Sequence, residues 1–94
     1  MDAAPDAATT QRIREIVART AEGALEAHDL RIRSSGQTTF LQFHLVVPGR
    51  MTVAEAHAIC DRIEAALRED MGAVVATIHV EPEEKAKHHG VVVL

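Results

Sequence analysis

The stretch that decides the fold is Thr38–Val47, which reads TTFLQFHLVV. Its residues alternate with the period of two that is typical of a strand with one buried face. Pro48 and Gly49 then end the pattern. The alternation predicts a strand with one face in the core and the other outside it. Leu41, Phe43, Leu45 and Val47 point to one face, and Phe40, Gln42, His44 and Val46 point to the other.

A helix and another strand are predicted after Pro48. Thr52 and Glu55 form a capping box, in which a hydroxyl and a carboxylate satisfy free amides at the start of a helix. The helix ends before Gly72, and alternation over about 73–81 predicts the next strand, which Pro82 ends. The apolar face of the helix holds Val53, Ala56, Ile59, Cys60, Ile63 and Leu67. The strand carries Val74, Ala76, Ile78 and Val80 on one face, and Val75, Thr77, His79 and Glu81 on the other.

The residues before position 38 predict one more helix and a more polar strand. Thr9 or Thr10 can cap the helix, and Gly23 can end it. The strand covers about 25–33, with Asp29, Arg31 and Arg33 most simply on a solvated face, and turn-forming residues follow it at 34–36. The order α-β-β-α-β predicts an α+β, ferredoxin-like domain without its first strand, with two helices on one face of a three-stranded mixed sheet. We expect the other face to lack a helical cover and to be available to a partner.

The composition is that of one small domain. The chain has 94 residues, of which 2% are aromatic, so we expect a modest core that a partner or a bound metal would stabilise. The formal charge is −4 and no basic patch is present, so nucleic acid is not an expected partner. Cys60 is the only cysteine, which excludes an internal disulfide and fits a reducing compartment. Its place on the apolar stripe of the second helix predicts a small core residue.

We divide the chain into a disordered lead-in at 1–8, a folded domain at 9–82 and a flexible histidine-containing tail at 83–94. No apolar run approaches the roughly 20 residues that span a bilayer, and the N-terminus lacks the apolar core of a signal peptide. We therefore expect a soluble chain, either a fragment of a larger protein or a stand-alone protein. His88 and His89 fall in the tail, where we expect them to be incidental or weak metal ligands.

The six histidines are the chemically informative residues. His44, His79 and Glu81 all lie on strand faces opposite the predicted core, and imidazole with carboxylate is a usual donor set for zinc and related ions. A lone histidine on a strand is more often exposed or satisfied, so the evidence for a metal site is the shared face. His57 and Asp61 lie one helical turn apart and are either a ligand with its supporting partner or a solvated pair. We find no phosphate loop or nucleophile motif and expect no enzyme.

Four segments together resemble the C-terminal cytoplasmic domain of the cation diffusion facilitators, especially the zinc and ferrous-iron efflux type. They are HDLRIR at 28–33, FLQFHL at 40–45, AEAHAICD at 54–61 and IHVEP at 78–82, and the similarity covers about 10–82. The resemblance implies a metallochaperone-like fold that dimerises below the membrane. It also implies a homodimer, joined to the transmembrane domain of the same transporter if the chain is a fragment, on the cytoplasmic side of the inner or plasma membrane.

The resemblance further implies a set of metal ligands. His28, His44, His57 and His79 match the ligand histidines of the family, and Glu81 stands where an aspartate is common. Zn²⁺ is the ion that we expect first, and Fe²⁺, Co²⁺, Ni²⁺, Mn²⁺ and Cd²⁺ also suit these donors. Binding would tighten the dimer and so control metal efflux.

Three interpretations of the chain remain open from the sequence. The first is a regulatory metal-binding domain of an efflux transporter. The second is a stand-alone soluble carrier or sensor of metal with the same fold. The third is a ferredoxin-like interaction module whose histidines bind no metal.

Overall fold

The elements of the domain follow the predicted order. A computed structural model describes residues 5–86 and 92–93. The elements are α1 (Ala7–Thr20), β1 (Glu26–Ser35), β2 (Thr38–Val47), α2 (Val53–Met71) and β3 (Val74–Pro82), then a 3₁₀ turn (Glu83–Lys85) and β4 (Val92–Val93). The α+β, ferredoxin-like α-β-β-α-β fold is confirmed.

The sheet is mixed, with the strand order β3-β2-β1-β4. β1 and β2 pair antiparallel, whereas β2 and β3, joined by α2, pair parallel. The predicted three-stranded sheet gains one short edge strand, because Val92–Val93 pairs antiparallel with the start of β1. The rest of the tail beyond Ala86, with His88 and His89, lies outside the described residues, as do the first four residues of the predicted lead-in.

Helix α1 begins earlier than the sequence predicted. The expected cap at Thr9 or Thr10 was wrong, because Asp6 caps the helix and its Oδ1 accepts a hydrogen bond of 2.8 Å from the Thr9 amide. That hydrogen bond lowers the pKa of Asp6. Aspartate is a stronger N-cap than threonine, which explains why the helix begins after Asp6.

Both helices cover one face of the sheet, here called the inner face. Leu41, Phe43 and Leu45 of β2 are buried there, as the alternation predicted. Cys60 is buried too and belongs to the core as expected, and burial raises the pKa of its thiol. The core is completed by Ile13, Ile16 and Val17 of α1 and by Ile59, Ile63 and Leu67 of α2.

A β-bulge in β1 determines which of its residues reach the other face, here called the outer face. His28 pairs with His44, but Arg31 pairs with Gln42, so the register shifts by one residue between them. Asp29, with a φ of 56°, sits at this shift. The alternation therefore changes phase, and His28 and Arg31 share the outer face although they are three residues apart.

Candidate metal centre

His44 and His79 lie side by side on the outer face because their strands pair in parallel register at these two positions. Their ring centroids are 4.9 Å apart. Glu81 follows His79 by two residues and leaves the same face, and its Oε2 lies 3.3 Å from His44 Nδ1. One potential ligand atom from each of these three residues lies within 4.8 Å of the others. The structure thus brings together the three residues that the strand pattern had placed on one face.

His28 adjoins this group from β1. It faces His44 across the antiparallel pair, with ring centroids 5.3 Å apart, and it is 3% exposed. Its Nε2 lies 3.1 Å from Glu81 Oε1, and its Nδ1 lies 2.9 Å from Glu26 Oε1. A carboxylate oxygen only accepts hydrogen bonds, so each ring nitrogen of His28 faces a hydrogen-bond acceptor. With an ion present, a ring nitrogen without a proton can bind the ion instead.

Asp29 enters the cluster through the bulge. Its Oδ2 lies 3.7 Å from His44 Nδ1, and it forms with His28 and His44 a second group of ligand atoms within 4.8 Å of one another. The sequence interpretation had placed Asp29, Arg31 and Arg33 together on a solvated strand face. Asp29 is indeed exposed, but its carboxylate also lies near His44.

His57 is not in the cluster. It lies on α2, which packs on the inner face, and its side chain is 72% exposed. Its Nε2 lies 3.4 Å from Asp61 Oδ1 one turn further along the helix. Of the five residues that the sequence singled out, the structure gathers His28, His44, His79 and Glu81 and leaves His57 on the opposite side of the sheet.

The donor set fits a divalent transition metal. Each of the two groups offers imidazole nitrogens and a carboxylate, which suit zinc and its neighbours, and three protein donors leave positions open for water or for a further ligand. Glu26, Asp29 and Glu81 place three carboxylates around the histidines, so the local charge favours a cation. Cys60 contributes no thiolate because it is buried in the core on the other side of the sheet.

The end of the outer face that carries this cluster is not open to solvent throughout. Glu26 is 3% exposed and Val46 is fully buried, whereas His44 and His79 remain accessible. β4 pairs with β1 at Glu26, so this end of β1 is not a free edge. The centre therefore has a buried side, formed by Glu26 and His28, and an accessible side, formed by His44 and His79.

Fold and cluster define an α+β domain of the ferredoxin-like class with a histidine–carboxylate centre on the face without helices. The chain belongs to the family of cytoplasmic domains of cation efflux proteins, because that family matches residues 5–83. The resemblance that the four segments carried is thereby confirmed. Within the described residues, neither helix combines the length and the apolar character that crossing a membrane requires.

Relatives of this chain are named as efflux pumps. The cation-efflux pump FieF of Shewanella oneidensis is 39% identical over 88 residues, which cover 87% of this chain and 29% of that protein. FieF of Yersinia pestis is 42% identical over 60 residues, which cover 64% of this chain and 20% of that protein. The chain thus spans less than a third of the length of these curated relatives.

Solved structures share the fold over nearly the whole chain. The zinc form of CzrB is 45% identical, with a TM-score of 0.84 over 94% of this chain and 100% of that one. The cytosolic domain of a cation diffusion facilitator family protein is 26% identical, with a TM-score of 0.73 over 83% of this chain and 93% of that one.

Proposed function

We propose that this domain binds divalent metal ions on its outer face and that metal tightens a homodimer, which controls efflux by the membrane part of the same transporter. The observation that carries the proposal is the convergence of His44, His79 and Glu81 within 4.8 Å. The role is one of binding and regulation, without catalysis, on the cytoplasmic side of the inner or plasma membrane.

Zinc is the ion that we assign first. Two imidazoles and a carboxylate are a usual zinc donor set, and CzrB, which shares this fold, has a structure in a zinc form. The relatives named as cation-efflux pumps support divalent cations in general. Fe²⁺, Co²⁺, Ni²⁺, Mn²⁺ and Cd²⁺ are compatible with the same donors, because ligand type alone does not select among them.

The cluster offers two overlapping groups of donors that share His44. One group includes Glu81 and the other includes Asp29. Each group includes one carboxylate, so an ion at either position would be attracted by a negative charge. Removal of His44 should therefore weaken binding more than removal of His79, which belongs to one group only.

A zinc titration by calorimetry tests the metal site. We expect the wild-type chain to bind, and His44→Ala to lose at least about 10–100-fold in affinity, the range for loss of a residue that only supports a ligand. Gln42→Ala and Thr77→Ala are matched controls, because each lies two residues from a proposed ligand on the same strand face and is exposed. Absence of zinc binding by the wild-type chain would refute the metal function and leave only the interaction module.

The position of His57 is the reason to propose an ion between two subunits. It lies on α2, on the far side of the sheet from the cluster, so one subunit cannot offer both to one ion. We assign His57 to an ion held between subunits, where α2 of one copy approaches the outer face of the other. Such an ion has its full set of ligands only when the two copies are close, so it favours the closed arrangement.

Spin labels on the two subunits test this closure by the distance between them. We expect zinc to shorten that distance in the wild-type dimer and to have less effect in His57→Ala. Glu64→Ala is the matched control, because Glu64 lies two turns further along α2 and contacts Arg68 rather than the histidine. An unchanged distance distribution in the wild-type dimer, with zinc bound, would refute closure but not metal binding.

A further inference from the structure

Glu26 is a buried carboxylate next to the proposed metal centre. It precedes His28 by two residues on β1, and its Oε1 lies 2.9 Å from Nδ1 of that histidine. The two side chains are 3% and 2% exposed. The other ring nitrogen of His28 lies 3.1 Å from Oε1 of Glu81. Glu26 and the proposed ligands therefore contact opposite nitrogens of one imidazole ring.

Burial of the Glu26 carboxylate costs free energy, and the residue is not part of the hydrophobic core. Glu26 pairs with Val46 on one side and with Val93 on the other, both apolar residues. A buried carboxylate is tolerated when it is hydrogen-bonded and its charge is balanced. The ring of His28 supplies a hydrogen bond, and a cation at the centre would add a favourable charge interaction.

We propose that Glu26 is a positioning residue for the metal, which acts through His28. Glu26 accepts a hydrogen bond from Nδ1–H of His28, so the proton stays on that nitrogen and Nε2 presents its lone pair to the ion. A carboxylate behind a metal-binding imidazole fixes both the tautomer and the orientation of the ring. This inference rests on the proposed metal function and extends it to a residue that does not contact the ion.

Zinc calorimetry on variants of Glu26 tests the effect on affinity. Glu26→Ala should lower the affinity by about 10–100-fold, the usual cost of losing such a partner. Glu26→Gln should lose less, because the amide oxygen can still accept from Nδ1–H. Glu22→Ala is the control for charge, because Glu22 is exposed and lies just before β1, and we expect its affinity to equal that of the wild type.

Long-range proton–nitrogen NMR of the zinc-saturated chain gives the readout that a purely structural role would not change. We expect His28 to carry its proton on Nδ1 in the wild type and in Glu26→Gln, and to lose this single tautomer in Glu26→Ala. A proton on Nε2 in the wild type would overturn the inference. So would a folded Glu26→Ala variant that binds zinc within twofold of the wild type.

Folding of the variants is checked on the metal-free chains by circular dichroism. If Glu26→Ala fails to fold, Glu26→Gln and the wild-type spectrum still test the inference. A Glu26→Gln variant that keeps the His28 proton on Nδ1 and binds zinc more weakly than the wild type supports it. Wild-type affinity in a folded Glu26→Gln that has lost the Nδ1 tautomer would overturn it. Failure of the wild-type chain to bind zinc is a different result, which refutes the proposed function itself.

Discussion

The two faces of strand β2 follow different rules. Its inner face carries Leu41, Phe43 and Leu45, which are at most 3% exposed and pack under both helices. Its outer face carries Phe40, Gln42 and His44, which are at least partly accessible, and Val46, which is fully buried. Residues that differ by one position in sequence thus serve either the stability of the domain or its chemistry. A substitution on the outer face should therefore change metal binding more than stability, and a substitution on the inner face should change stability more than metal binding.

The outer face is itself divided along the strands. One half holds the histidines with Glu26, Asp29 and Glu81, and the other half holds Arg31 and Arg33. The guanidinium of Arg33 lies 4.5 Å from the centroid of the Phe40 ring. The acidic half can attract a cation, whereas the basic half would repel one. This division places the proposed metal centre towards the carboxyl ends of the parallel strands β2 and β3.

The largest effect is expected from the two phenylalanines of β2. Phe43→Ala should destabilise the domain by about 3–5 kcal/mol, because it removes a fully buried ring and leaves a cavity. Phe40→Ala, on the outer face of the same strand, should cost much less. Urea denaturation of the metal-free chains measures both. Equal losses for the two variants would contradict the division of labour between the faces.

Acid should affect the outer face before the inner one. A histidine must be neutral to bind metal, so protons compete with zinc. Zinc affinity should therefore fall as the pH is lowered, and more steeply the more histidines bind the ion. Calorimetry between pH 7.5 and about 5.5 measures the affinity, and circular dichroism follows the fold over the same range. An affinity that stays constant over this range would argue against histidine ligands.

The smallest effect is expected at the start of α2, which covers the inner face. Thr52→Ala removes the hydroxyl half of the capping box, in which Thr52 Oγ1 accepts from the Glu55 amide at 3.1 Å, and should cost about 1 kcal/mol. Zinc affinity should not change. Hydrogen bonds from the backbone and then from the side chain of Thr52 lower the pKa of Glu55.

The same capping box makes a prediction about acid. The pKa of Glu55 is lowered in the folded state, so its carboxylate stabilises the domain at pH values above its pKa in the unfolded chain, near 4.5. This contribution is lost as the pH falls through the pKa of the folded state. The difference in stability between wild type and Glu55→Gln should therefore shrink in acid. A constant difference down to pH 3 would mean that the carboxylate takes no part.

Sequence patterns sufficed for the fold because each element carried its own signal. The alternation in β2 and β3, the capping box of α2 and the apolar stripe that includes Cys60 each predicted the element that is observed. The same alternation placed His44, His79 and Glu81 on one face, because the direction of a strand side chain depends only on the parity of its position. Their role as metal ligands stays a prediction.

The remaining features depend on contacts that a period of two does not encode. The bulge at Asp29 changes the phase of β1, and only the tolerance of aspartate for positive φ hinted at it. Without the bulge, Asp29 could not be assigned to the cluster. Glu26 was missed because it follows Leu25 in a segment with weak alternation. His28 was expected as a ligand from the resemblance, but nothing in the sequence indicated that its ring lies between the carboxylates of Glu26 and Glu81.

The parallel pairing of β2 with β3 also sets the order in which the centre can assemble during synthesis. A nascent chain that has emerged only through β2 carries His28, Asp29 and His44, but it lacks His79 and Glu81 until the whole of α2 and most of β3 have followed. Closing so long a connection costs chain entropy before the new contacts repay it. The group of donors that includes Glu81 can therefore form only in a nearly complete domain, whereas the group that includes Asp29 needs only β1 and β2.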